Sequence, residues 1–262
     1  MGLSTDVFRT VDSFHQFIQE SDRSGYTEIH SSDWTGGVIG RSVARDMAVT
    51  GWAEKRPDAE AIIDKVIGDV RPLTDDVRQL SPSLMGGVVN VPAYLSGRPD
   101  SMLMHRRTRK VTTKRVLSVL VDAGANSHVS AEHMLRRSAA VGALMEVVQR
   151  LGLSLSIDLT SPIKDGGHVH NVVLRLHPAG GHFDLDVMMF CLGHPAFHRY
   201  LWFSHRHADG VGSGMGTSID IDDALAEQYD LVVRRDEHSD GVLAGDDPQQ
   251  WVINALGKLG LL

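Results

Sequence analysis

Residues 115–136 read RVLSVLVDAGANSHVSAEHMLR, and this stretch decides the fold. The apolar run Val116, Leu117, Val119, Leu120 and Val121 stops at Asp122-Ala-Gly-Ala-Asn-Ser127, and a helical pattern follows. A short apolar run closed by turn residues has the pattern of a buried strand. Its carboxyl end delivers one carboxylate and a glycine-bearing loop to a helix N-terminus. In open α/β sheets ligands bind outside the carboxyl ends of the strands, where helix N-termini offer N–H groups.

Downstream the pattern alternates. It predicts strand 115–122, helix 130–151, strands 153–159 and 171–177, helix 184–192, strand 199–205, helix 221–227, strand 229–234 and helix 247–259. Asp247-Pro248 supplies a cap and a first-turn proline for the last helix. Such alternation predicts a doubly wound α/β domain, a mostly parallel sheet with helices on both faces. The exception is the pair 153–159 and 171–177. Between them Ser161–His170 carries Pro162, Gly166 and Gly167, too short and too broken for a crossover helix, so an antiparallel hairpin is expected.

Upstream the patterns are helical. Asp6–Glu20 carries Phe8, Val11, Phe14 and Phe17 at helical spacing, Val38–Gly51 ends at glycine, and Pro57 opens a helix through Ile62, Ile63, Val66 and Ile67. Gly86–Leu95 reads as a short strand that Pro92 pushes to an edge. The expected organisation is a helical N-terminal region over 1–100 and an α/β domain over 101–262.

Composition narrows the function classes. The chain has 262 residues, 42% hydrophobic and 23% charged, ordinary values for a protein with a sizeable core. A net charge of −7 argues against a general nucleic-acid coat. Cys191 is the single cysteine, so no internal disulfide forms and a reduced, cytoplasmic setting is expected. No run reaches the roughly 18 apolar residues of a membrane-spanning helix, and Met1–Thr10 lacks a signal-peptide pattern, so no membrane partner is expected.

Asp122-x-Gly124-x-Asn126-Ser127 resembles the first metal-site motif of von Willebrand factor type A domains, D-x-S-x-S at the end of the first core strand. The resemblance covers roughly residues 111–262 and implies a Rossmann-like fold with Mg²⁺ or Mn²⁺ held by oxygen ligands. Carried over, it names Asp122, Asn126 and Ser127, with Thr160 and Asp184 or Asp186 of HFDLD as oxygens from later loops. Gly124 and Asn126 stand where that family has serines, and glycine has no side-chain ligand, so the motif is degenerate. The chain is also similar to an uncharacterised family of bacteriophage proteins, through Trp34-Thr-Gly-Gly, Gly51-Trp52 and Leu192-Gly-His-Pro-Ala196. That similarity implies a phage origin and assigns no activity.

Two further features carry chemistry. Eight of the 14 histidines lie in 168–207: His168, His170, His177, His182, His194, His198, His205 and His207. His194 and His198 share helical spacing, yet no zinc signature is present, and Pro195 makes His194 a cap candidate. Residues 105–115, HRRTRKVTTKR, place Arg106, Arg107, Arg109, Lys110 and Lys114 beside threonines, a pattern that grips phosphates or forms a solvated strand. Nucleophile-elbow, Walker A and dinucleotide signatures are absent. The expected function is a non-enzymatic, phage-encoded accessory protein that binds a macromolecular partner, expected to be a protein, through the face above Asp122. The alternatives are a nucleic-acid-associated regulator using 105–115 and a metal-dependent hydrolase built on the histidines.

Overall fold

The structure, a computed structural model, describes residues 3–10, 13, 16, 35–38, 40–74, 77–108, 116–124, 129–208, 217–235 and 247–262. In chain order these form β1 (Leu3–Phe8), α1 (Arg41–Thr50), α2 (Arg56–Thr74), β2 (Val77–Ser83), β3 (Val88–Val89), α3 (Val91–Leu95) and β4 (Met102–Thr108). There follow β5 (Val116–Asp122), α4 (Ala131–Arg150), β6 (Ser154–Thr160), β7 (Ile163–Asp165), β8 (His168–His177) and α5 (Leu185–Gly193). A π-helical turn (Phe197–Trp202), α6 (Phe203–Ala208), β9 (Thr217–Ser218), α7 (Asp223–Ala226), β10 (Leu231–Val233) and α8 (Pro248–Lys258) complete the chain.

The α/β reading holds, and the main sheet is mostly parallel. β5 runs parallel to β10 on one side and to β6 on the other, and β1 runs parallel to β8. The expected antiparallel step is present between β6 and β8. It is tighter than the linker suggested, because β7 continues along the same edge of β8, Ile163 facing His170. Gly166 and Gly167, at φ 51° and 91°, close it as a two-residue turn that needs positive φ at both positions.

The two faces of the sheet differ, as period-2 geometry requires. Leu117, Val119 and Val121 of β5, Leu155, Ile157 and Leu159 of β6, and Val172 and Leu174 of β8 belong to the buried core. There α4 lies among α2, α5 and α8, and its small residues Ala139, Ala140, Gly142 and Ala143 are buried. A helix apolar on nearly every side is one enclosed on every side. The other face presents Ser118, Asp122, Ser156, Asp158, Thr160, Asn171 and Arg175, and the Tyr229 hydroxyl, just beyond α7, donates to Asp158. Helical cover is therefore unequal: a thick layer on the apolar face, and the short α7 over the polar one.

Three local expectations are corrected. Residues 199–205 are the π-helical turn and the start of α6, not a strand. Phe197–Trp202 is buried all round, so no polar alternation separates strand from helix in the sequence. Asp6–Phe8 belong to β1, with Phe8 packed on the core and Val7 67% exposed. Val11, Phe14 and Phe17 of the helix expected there lie outside the described residues. In Gly86–Leu95 only Val88–Val89 is strand; Asn90 accepts the Ala93 N–H and starts α3, with Pro92 in the first turn where its missing N–H costs nothing.

β2, β4 and β3 form a separate three-stranded antiparallel sheet in that order. With α3 it makes an arm on the α/β body. Among the described residues no helix is long and apolar enough to cross a membrane.

Candidate functional site

The loop after β5 is where sequence placed the site. Asp122, 2% exposed, accepts the Gly124 N–H on Oδ1 at 2.9 Å, and its Oδ2 lies 3.5 Å from Arg235 Nε. Arg206 donates to Ser161 Oγ at 2.7 Å. Burial pushes its guanidinium down to about 10, and the nearby Asp122 carboxylate works in the other direction. Arg137, buried in α4, donates to the carbonyls of Gly124 at 3.1 Å and Leu192 at 3.2 Å, with longer contacts to those of Asp122 and Ala123. The Thr160 hydroxyl donates to Asn171 Oδ1 at 2.6 Å. The carboxyl edge of the sheet is thus a buried polar network in which guanidiniums surround one carboxylate.

This network explains the departure from the D-x-S-x-S pattern. A Cβ on Gly124 would lie 2.8 Å from Asp122 Oδ1 and 3.3 Å from Arg235 Cδ. A serine does not fit there while Arg235 holds Asp122. A divalent cation bound to Asp122 would compete with Arg235 and Arg206 for the same charge.

Of the later-loop candidates, Thr160 stands beside Asp122 in the β5–β6 register, whereas Asp184 and Asp186 are not brought there. Gly193 of α5 packs beside Leu135 and Ser138, whereas Leu185 packs near Gly142, so α5 runs antiparallel to α4. Asp186 and Asp184 therefore stand at the far end of α5, roughly 9 and 12 Å along its axis from Leu192. Asp184 caps that end by accepting the N–H groups of Asp186 and Val187. Asp186 pairs with Arg56 through two bonds of 2.8 and 2.7 Å. Asn126 and Ser127 lie outside the described residues. Among the described residues no three His, Cys, Asp or Glu are grouped to hold a metal ion.

The buried histidines pack as aromatic rings. His194 stacks on Phe190, meets Trp52 edge-on, and accepts the Ala196 N–H on Nδ1, a capping role that Pro195 foreshadows. His198 meets Phe203, His205 meets Phe8 and His177 meets Phe183. Burial holds His194 down to about 4 and pushes His177 and His198 below the ordinary value near 6.5. The unfolded chain then binds more protons than the folded one between those values. Stability is therefore full above about pH 6.5 and is lost as pH falls toward 4. Thermal unfolding followed from pH 7 to 4.5 is expected to show a falling midpoint, and His194→Asn, which keeps a cap acceptor, a shallower fall. A midpoint flat across that window contradicts the account.

Of the basic candidates, Arg106 and Arg107 lie on β4, their backbones in register with Gln79 and Arg78. Arg109, Lys110 and Lys114 lie outside the described residues. Sequence reasoning missed Arg137, Arg206 and Arg235, although an arginine inside the apolar run MLRRSAAVGALM is a signal for a buried guanidinium. It also missed the arm's apolar surface, whose signal is a stretch without charge, Leu84–Gly97.

The chain matches the family described as Domain of unknown function (DUF7192) over residues 4–262, and it belongs to that family. The match takes in β1, the arm and the α/β body alike. No curated protein and no solved structure matches the chain.

Proposed function

We propose that this is a non-catalytic interaction protein whose α/β body carries the β2–β4 arm as its docking surface for a protein partner. The observation that carries the reading is the exposure of Leu84, Met85, Tyr94 and Leu95, at 66–78%, beside exposed Val88, Val89, Val91 and Met104. Large apolar side chains left this exposed on one small sheet and its helix mark a candidate interaction site. Roughly half-burying the four most exposed, Leu84, Met85, Tyr94 and Leu95, is worth on the order of 5 kcal/mol before the cost of association. Leu84–Gly97 carries no charge, which suits an apolar protein surface and offers nothing to a phosphate backbone. The von Willebrand A resemblance supports an interaction role by analogy of fold alone. The similarity to bacteriophage proteins supports a phage or host protein as that partner.

A nucleic-acid reading has one observation in its favour: in the β2–β4 backbone register Arg78 stands opposite Arg107, and Arg106 precedes it on the same strand. One experiment separates the readings. The Leu84→Glu, Leu95→Glu double variant is expected to keep the parent's melting temperature, since both side chains are exposed in the chain alone. It should lose at least about tenfold in affinity for the protein that copurifies at high salt. Salt-sensitive binding of DNA or RNA that Arg106→Gln and Arg107→Gln abolish would overturn the proposal, as would binding to lipid vesicles in place of a protein.

A further inference from the structure

The polar face of the main sheet holds a cleft of about 290 Å³ beneath α7. Its floor comes from three adjacent strands, because Val7 is in register with Val173, and Arg175 with Asp158. Val7, Val173 and Leu225 form its apolar walls. On its floor two groups offer donors to a ligand. Asn171, 4% exposed, accepts the Thr160 hydroxyl on Oδ1, which leaves its Nδ2 as its contribution to the lining. Arg175 uses Nε and Nη2 on the Asp158 carboxylate at 2.7 and 2.8 Å, leaving Nη1 for a ligand.

Arg175 is held in place from beneath. Asp158 is 3% exposed and also accepts the Tyr229 hydroxyl at 2.9 Å, so one buried carboxylate fixes the guanidinium and joins the roof to the floor. Arg175 is held protonated chiefly by its hydrogen bond to that carboxylate, and Tyr229 chiefly by burial, with the carboxylate adding to the effect. At the rim, exposed Asp222 accepts the Ala224 N–H on Oδ1, leaving Oδ2 for a ligand. Asp158, Arg175 and Asp222 together carry a formal charge of −1, which disfavours a plain anion. A fixed guanidinium and an amide suit a carboxylate, the rim carboxylate suits an ammonium group, and the walls suit a short aliphatic chain.

We infer that this cleft binds a small zwitterion, an α-amino acid with an aliphatic side chain, its carboxylate on Arg175 and Asn171 and its ammonium on Asp222. The site is separate from the arm and does not rest on the arm's role.

The test is a titration of the full chain, followed by NMR or calorimetry, with three probes. L-Leucine carries both charges, 4-methylpentanoate only the carboxylate, and isopentylamine only the ammonium. Leucine is expected to bind about tenfold more tightly than either analogue. Leu225→Trp fills the cleft while keeping the Asp158, Arg175 and Tyr229 side chains, and should abolish binding at an unchanged melting temperature. Arg175→Lys, which keeps the charge, should weaken leucine and 4-methylpentanoate together and leave isopentylamine unchanged. Binding of either analogue as tightly as leucine overturns the inference, as does leucine binding that survives Leu225→Trp or no binding by any probe.

Discussion

Replacing Arg137 by methionine is expected to cost about 3–5 kcal/mol and lower the melting temperature by roughly 10 °C. Its guanidinium reaches carbonyls at two places far apart in sequence, the end of β5 at Asp122–Gly124 and the end of α5 at Leu192. Methionine fills a similar volume but donates nothing, so buried carbonyls lose their donor and the loop under Asp122 loses its tie to α5. Arg136 is the control. It lies one residue away on the same helix, half-exposed, and among the described residues pairs with Glu132 one turn back. Arg136→Met is expected to change stability by no more than about 0.5 kcal/mol. Chemical denaturation of the two variants measures the difference, and equal midpoints would refute the stapling role of Arg137.

Gly51→Ala is expected to destabilise the fold by about 3 kcal/mol or more. Gly51 ends α1 at φ 82°, and a Cβ there would overlap Asp186 Cβ and lie 2.5 Å from its carbonyl carbon. The next residue, Trp52, donates its N–H to Asp186 O at 3.0 Å, and Arg56 grips the Asp186 carboxylate. Any shift that admits the methyl group pulls α1 and α2 from the start of α5. Gly97→Ala separates steric from conformational cost, because Gly97 also has positive φ, 71°, but open space around it. That variant should lose only the roughly 1–2 kcal/mol of a left-handed residue. If the two alanines cost the same, the contact with Asp186 has no energetic weight.

The fold was legible where one physical signal dominated. β5 and α4 fall within one residue of their predicted bounds, because an apolar run ends on a turn and Ser130 caps the helix that follows. The β6–β8 hairpin was legible because two glycines leave no room for a crossover. Asp6–Phe8 read as helix because phenylalanine spacing outweighed the shorter strand signal. Residues 197–202 could not be resolved, since full burial removes the periodicity that tells strand from helix.

The site was legible only in part. Asp122 stood out through the end of its strand, but its surroundings come from residues 137, 206 and 235, which no local spacing connects. Asp184 and Asp186 looked available as oxygens; one turned out to be a helix cap and the other the counter-ion of Arg56. The apolar character of Leu84–Leu95 was plain in sequence, whereas its exposure depends on α3 and β3 turning away from the core.

The docking role of the arm is tested most directly by placing the photocrosslinking residue p-benzoylphenylalanine at position 94 of the full chain, expressed in its source cell. Tyr94 is exposed on the arm and Lys164 is exposed on the body, so position 164 serves as the reference. The account predicts one dominant adduct with a second protein from position 94, absent from position 164 and abolished by Leu84→Glu and Leu95→Glu. Equal labelling from both positions, or an adduct indifferent to those two substitutions, would contradict it.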